Sequence, residues 1–192
     1  MSPLTVRELS KETWGDFESV LGANGGARGC WCMHWRLSIK EWTEGKGEGN
    51  KKAMKRLAGR EPAPGLVVYD EETPVAWCSL GPRSSFPRLE RSPILANADD
   101  GESDEGVCAI ACVYVGKRHR GSGLLPGILE AVCDWASAAG YATAEGYPVE
   151  PREGKRAGAD TAMTGIASAF LDAGFSEVAR PRADRPVMRR KV

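Results

Sequence analysis

The sequence predicts an α/β chain, on three observations. Short apolar, β-branched runs alternate along it with stretches whose apolar residues recur at helical spacing. The longest run, VCAIACVYV (Val107 to Val115), is apolar on both alternating faces, as a strand covered on both sides requires. That run breaks into a basic, glycine-bearing turn, GKRHRGSG, and then into the amphipathic LLPGILEAVCDWA. A strand therefore feeds a turn that feeds a helix.

The elements follow in order. LTVREL, Leu4 to Leu9, reads as the first strand. Ser10 is placed to cap a helix running to about Leu21, with Trp14, Phe17 and Leu21 at helical spacing. Residues 22–29 form a glycine-rich loop. A second helical region takes in Ile39 to Trp42 and, after the GKGEGN break, Lys51 to Ala58. GLVVYD and TPVAWCSL make a hairpin turning at Glu71 and Glu72. An irregular segment, 81–106, leads to the central strand. The helix after the basic turn starts near Ser122 and ends at about Ala139, with Gly140 as its C′ residue. The strand YATAEGYPV comes next, then a charged loop and a helix from about Asp160 or Thr161 to Ala173. FSEVAR opens a last strand pair that reaches PVMRRKV.

At 192 residues, the chain fits one domain, 1–192, with ample length for a core. Lys+Arg and Asp+Glu stand at 26 each, which gives no general attraction to nucleic acid or to a membrane surface. MSPLTVREL lacks the apolar stretch of a signal peptide, and no run approaches a membrane span; the expected location is cytoplasmic. Of six cysteines, Cys78, Cys108, Cys112 and Cys133 sit in apolar strands or a helix as small core residues. Cys30 and Cys32 are too close together for an ordinary bridge. A reduced chain is expected.

The strand–turn–helix junction is where chemistry concentrates. A helix start leaves backbone N–H groups pointing outward and adds about half a positive charge. Both suit a phosphate, and Lys117, Arg118 and Arg120 strengthen the case. Glycine at 121 and 123 allows positive φ and close approach of a ligand. Arg120 supplies a planar charged fork for phosphate oxygens. Pro126 falls in the first helical turn, where its missing N–H costs nothing. No Walker loop is present, since the required Gly-Lys-Ser/Thr is missing. The glycines at 121, 123 and 127 are spaced G-x-G-x-x-x-G, not as a Rossmann fingerprint.

The hexapeptide Arg118-His-Arg-Gly121-Ser-Gly123 after a hydrophobic strand resembles the signature of the GNAT superfamily of acyl-CoA-dependent N-acetyltransferases. The resemblance covers most of the chain, including a helix closing on Gly-Phe and a final hairpin. It implies an α+β GNAT fold: a central mixed, mostly antiparallel twisted sheet flanked by helices on both faces. It also implies acetyl-CoA as acyl donor. By position, Val113, Tyr114 and Val115 meet the pantetheine arm, while Arg118, Arg120, Gly121, Ser122, Gly123 and Leu124 surround the pyrophosphate. A homodimer is one arrangement found among such proteins.

One departure concerns catalysis. Many members place a Tyr four residues before the Gly-Phe pair to protonate the departing thiolate; here the residue is Phe170. Tyr147, Tyr114 and Ser168 are substitutes, or solvent serves, since a thiol of pKa about 8.5 leaves tolerably well. The family's usual Asn is also missing, with Met163 and Thr164 nearby instead. The acceptor amine must be neutral, and deprotonating a lysine-like ammonium at pH 7 costs roughly 4–5 kcal/mol. Glu145 and Glu105 are the candidate bases, acting directly or through water. Donors for the oxyanion come from the central strand's backbone.

The string GCWCMHWRLS, 29–38, is the other unusual feature. Cys30, Cys32 and His34 are zinc-type ligands, but C-x-C-x-H is not a finger spacing and no second cysteine pair follows; no metal is expected. The string resembles those of an uncharacterised branch of the same superfamily, where this region lines the acceptor side. Trp31, Trp35 and Trp42 either wall a pocket for an amine or pack the core. The leading reading is an N-acetyltransferase that moves an acetyl group directly to a primary amine on a small molecule or peptide. Alternatives are a non-catalytic acyl-CoA sensor and a metal- or redox-responsive protein built on CWCMH.

Overall fold

A computed structural model describes residues 3–92, 106–152, 157–158 and 161–192. In chain order the elements are β1 (Thr5–Glu8), α1 (Trp14–Leu21), α2 (Ile39–Glu44), α3 (Glu48–Leu57), β2 (Gly65–Asp70), β3 (Thr73–Pro82) and α4 (Pro87–Glu90). They continue with β4 (Val107–Val115), α5 (Leu125–Ala138), β5 (Thr143–Gly146), α6 (Ala167–Asp172), β6 (Ser176–Arg182) and β7 (Arg185–Lys191). The seven strands form one sheet in the order β1-β2-β3-β4-β5-β7-β6. Only the β4–β5 pairing is parallel, so the sheet is mixed and mostly antiparallel.

Both faces are covered. On one, Ile128, Leu129 and Val132 of α5 and Phe170 of α6 pack on Val68, Cys78, Ile110 and Val113. On the other, Phe17 and Leu21 of α1 and Met54 of α3 pack on Val67, Tyr69 and Trp77. The near-continuous apolarity of β4 follows from this double burial.

Several boundaries differ from the sequence expectation, each for a local reason. Helix α1 starts at Trp14, because Ser10 is spent in its own turn: its N–H donates to Thr13 Oγ1 (2.9 Å) and its Oγ accepts from Glu12 N–H (3.1 Å). Helix α5 starts at Leu125 rather than Ser122, whose hydroxyl donates back to the His119 carbonyl. Helix α3 begins inside GKGEGN, where buried Asn50 donates to the carbonyls of Gly29 (3.0 Å) and Trp42 (3.1 Å). The segment after β3 is not wholly irregular, since it holds a 3-10 turn at Arg83–Ser85 and then α4. The last helix is broken at Gly165 into a 3-10 turn, Ala162–Thr164, and α6.

The feature that positions the site is a bulge in β4. Ser79 faces Cys112 and Leu80 faces Ile110, so Ala111 is an extra residue with no partner on β3. The bulge shifts the strand's alternation. Before it, Cys108 and Ile110 face α5; after it, Val113 does, while Cys112 turns to the α1 side. The β4–β5 ladder stops at the Ile110–Gly146 pair. Among the described residues, no strand pairs with 111–115 on that side.

Candidate functional site

Where β4 and β5 part, a cleft of about 620 Å³ opens. One wall is the unpaired edge of β4 at Val113, Tyr114 and Val115; the opposite wall is Ala162, Met163, Gly165 and Ile166. Gly25, Gly26 and Ala27 line it from the glycine-rich loop. At one end stand Lys117, Arg120 and Gly121 of the basic turn. An extended edge with no neighbouring strand can hydrogen-bond an extended amide-bearing ligand as that strand would.

The turn is shaped by local forces. A 3-10 turn at Lys117–His119 follows β4, and Gly121 and Gly123 then take φ of 77° and 73°. A Cβ at either position would meet nothing within 4 Å, so conformation, not crowding, calls for glycine there. Arg120 Nε donates to the Val115 carbonyl (3.0 Å), and its guanidinium lies 5.0 Å from the Tyr114 ring centre. The cation is thereby held beside the cleft.

A smaller pocket of about 270 Å³ adjoins the cleft and shares Ala27, Cys30 and Met163 with it. Its other walls include His34, Trp35, Trp42, Thr164 and Arg185. The CWCMHWR string is pinned here by two arginines. Arg36 donates to the carbonyls of Pro64 (2.7 Å) and Leu80 (3.1 Å) and stacks over Phe86, and burial lowers its pKa to about 10. Arg88 donates to the carbonyl of His34 (2.6 Å) and faces its Nδ1 (3.2 Å). Burial, with Arg88 adding to it, lowers the His34 pKa to about 4, so the imidazole is neutral at pH 7. Cys32 Sγ lies 3.8 Å from Cys112 Sγ. Among the described residues, no three His, Cys, Asp or Glu side chains are grouped to hold a metal ion.

A family model, the acetyltransferase (GNAT) family, matches residues 31–148, more than half of the chain. The chain belongs to the GNAT acetyltransferase family. Solved GNAT structures share its fold. A GCN5-related N-acetyltransferase from Kribbella flavida is 15% identical, covering 99% of this chain and 98% of that one, with a TM-score of 0.55. PaiA N-acetyltransferase from Thermoplasma acidophilum, in complex with coenzyme A, is 14% identical over 100% of both chains, with a TM-score of 0.50. An aminoglycoside acetyltransferase in complex with coenzyme A is 12% identical, covering 98% of this chain and 94% of that one, with a TM-score of 0.50. No curated protein matches by sequence.

Against this GNAT frame the residues named from sequence fall into groups. Val113, Tyr114, Val115, Arg120 and Gly121 meet at the cleft. Arg118 lines a neighbouring hollow beside α1, and Gly123 and Leu124 line another beside Leu4. Ser122 is held by His119. Trp35 and Trp42 wall the smaller pocket, whereas Trp31 lies in the core, stacked on Trp14 with ring centres 6.4 Å apart. Glu145 and Tyr147 line neither cavity. Glu145 is 1% exposed, and its oxygens accept from Arg83 (Nε, 2.9 Å), Arg189 (Nε, 2.6 Å) and the Tyr147 hydroxyl. Burial first, then the Glu145 charge, pushes the Tyr147 pKa well above the ordinary phenol range. Glu105 lies outside the described residues. Phe170 is fully buried, its ring edge-on to Phe175 and directly over Gly146, where a Cβ would lie 2.1 Å from it.

Sequence reasoning missed Gly25 to Ala27, Met163 and Arg185. They come from three separated segments whose convergence no local pattern encodes. The one available signal was the density of glycine in 22–29.

Proposed function

We propose that this GNAT protein is an N-acetyltransferase that carries an acetyl group from acetyl-CoA to a primary amine. The observation that carries the reading is the unpaired β4 edge, which runs between the basic glycine turn and a second pocket. In this reading the pantetheine arm lies along Val113 to Val115, and its amides complete the backbone bonding that β5 leaves off. The pyrophosphate sits at Arg120 and Gly121. Solved structures of this fold hold coenzyme A or, in an aminoglycoside acetyltransferase, an aminoglycoside together with acetyl-CoA, which is the kind of ligand pair this reading assigns.

The amine attacks the thioester carbonyl as the C–S bond breaks, and a β4 backbone N–H stabilises the oxyanion. Glu145 is enclosed by its own cluster, so we assign base work to water or to Glu105. Tyr114 is our candidate for returning a proton to the thiolate, since its hydroxyl makes only a long 3.4 Å bond to the Gly26 carbonyl. The chain acts as one domain in this scheme, because the cleft needs both β4 and residues Ala162 to Ile166.

Calorimetry with acetyl-CoA on the wild type and Gly121→Glu tests the reading. Binding in the micromolar range that disappears in the variant supports it, since the new carboxylate would project into the space above Gly121. No binding by the wild type overturns it. Binding without CoA release in any amine would favour a non-catalytic sensor.

A further inference from the structure

The smaller pocket is rich in hydrogen-bond donors, and among the described residues no carboxylate lines it. Arg185 and Arg28 bring two guanidiniums, Arg28 from an exposed position in the glycine-rich loop. Arg185 is half-buried and donates one bond, to Thr164 Oγ1 at 3.0 Å. The adjacent Asp184 pairs with Arg182 (3.5 Å) and its charge also acts on Arg185. The indole N–H of Trp35 is buried without a hydrogen-bond partner, whereas that of Trp42 faces the Cys30 thiol. His34 Nδ1 can only accept from Arg88, so the neutral ring keeps its proton on Nε2. Trp35, Trp42 and Met163 supply the apolar part of the lining.

We propose that this pocket binds an amine that also carries a carboxylate: a free α-amino acid with an apolar or aromatic side chain. This rests on the acetyltransferase reading and names its acceptor class. The carboxylate sits on the Arg185 guanidinium, whose planar fork matches it, with Arg28 adding charge at the rim. The side chain lies against Trp35 and Trp42. The Arg185 guanidinium also disfavours an ammonium beside it, which lowers the acceptor's own pKa toward the neutral nucleophile that transfer needs. It disfavours polyamines and aminoglycosides, which carry several positive charges and no anion. In the step itself, the amine nitrogen bonds to the acetyl carbon, the C–S bond breaks, and the nitrogen's proton leaves to water while the thiolate is protonated. The products are an N-acetyl amino acid and CoA.

The test measures CoA release by the full chain with each apolar and aromatic amino acid, its amide, its decarboxylated amine, and spermidine. The expected result is that a carboxylate acceptor exceeds its own amide in kcat/KM by roughly 10- to 100-fold. Arg185→Gln should bring that ratio to within about threefold through KM, Arg185→Lys should restore part of it, and Arg28→Ala should lower it less. Calorimetry with acetyl-CoA on each variant shows that the donor cleft is intact and the chain folded. If acetyl-CoA binds but amides, amines or spermidine match the amino acids, or no amino acid is acetylated, the acceptor class is wrong while the donor cleft stands. If acetyl-CoA does not bind the wild type, the acetyltransferase reading fails, and this inference with it.

Discussion

Glu145 sits where β5 faces β7 across the ladder, directly opposite Arg189. Its cluster, with Arg83, Arg189 and Tyr147, lies on the sheet face that carries α4 and joins the turn after β3 to β5 and β7. Removing the charge would leave two guanidiniums without their carboxylate. Glu145→Gln is expected to lower unfolding free energy by about 3–5 kcal/mol, measured by urea titration. Its kcat, assayed at a temperature where the variant is folded, should keep the wild-type pH profile. A lost limb of that profile would instead make Glu145 the base. From sequence, Glu145 stood out correctly as a charge in an apolar strand. What it does there was hidden, because Arg83 lies 62 residues before it and Arg189 44 after. The cleft residues of β4 and its turn were legible because one continuous segment carries both strand and glycines. Trp31 and Trp35, four apart, could not be sorted, since only the turn between them decides which ring faces the core.

At the scale of elements, β4 has two halves with different duties. Its first half is locked between β3 and β5, and its second half has β3 alone. Amides of 111–115 that face the cleft are therefore expected to exchange with deuterium faster than those of 107–110. Saturating acetyl-CoA at about 100 times Kd should slow them by up to roughly 100-fold. Hydrogen–deuterium exchange resolved by peptide checks this; equal protection in both states would place the ligand elsewhere. Helix and strand identities were readable from periodicity over most of the chain. Boundaries slipped where side-chain hydrogen bonds compete with the helix, as at Ser10 and Ser122, or where β5 ends after four residues because β4 bends away.

At the scale of the molecule, the sheet joins β1–β4 to β5–β7 through a parallel ladder of only four residue pairs, reinforced by α5 and α6. A ligand in the cleft spans that junction. Acetyl-CoA at about 100 times Kd should add about 2.7 kcal/mol and raise Tm by roughly 5–10 °C in one transition. Two separate transitions in calorimetry, with only one of them shifted, would show that the halves unfold independently. The alternating pattern and the GNAT resemblance anticipated the mixed sheet covered on both faces. The strand order β5-β7-β6 was not readable from local pattern, because sequence periodicity carries no information on which distant edges meet.

Ala111 makes β4 behave like a reading frame. Every side chain after it owes its facing to one inserted step, so loss of any single residue between 107 and 115 would exchange the α5-facing and α1-facing sets downstream. Such a deletion should be repaired by a single insertion elsewhere in the strand, which returns each side chain to its α5 or α1 side, and by no point substitution. Natural variation in this strand is thus expected to be substitution at fixed length.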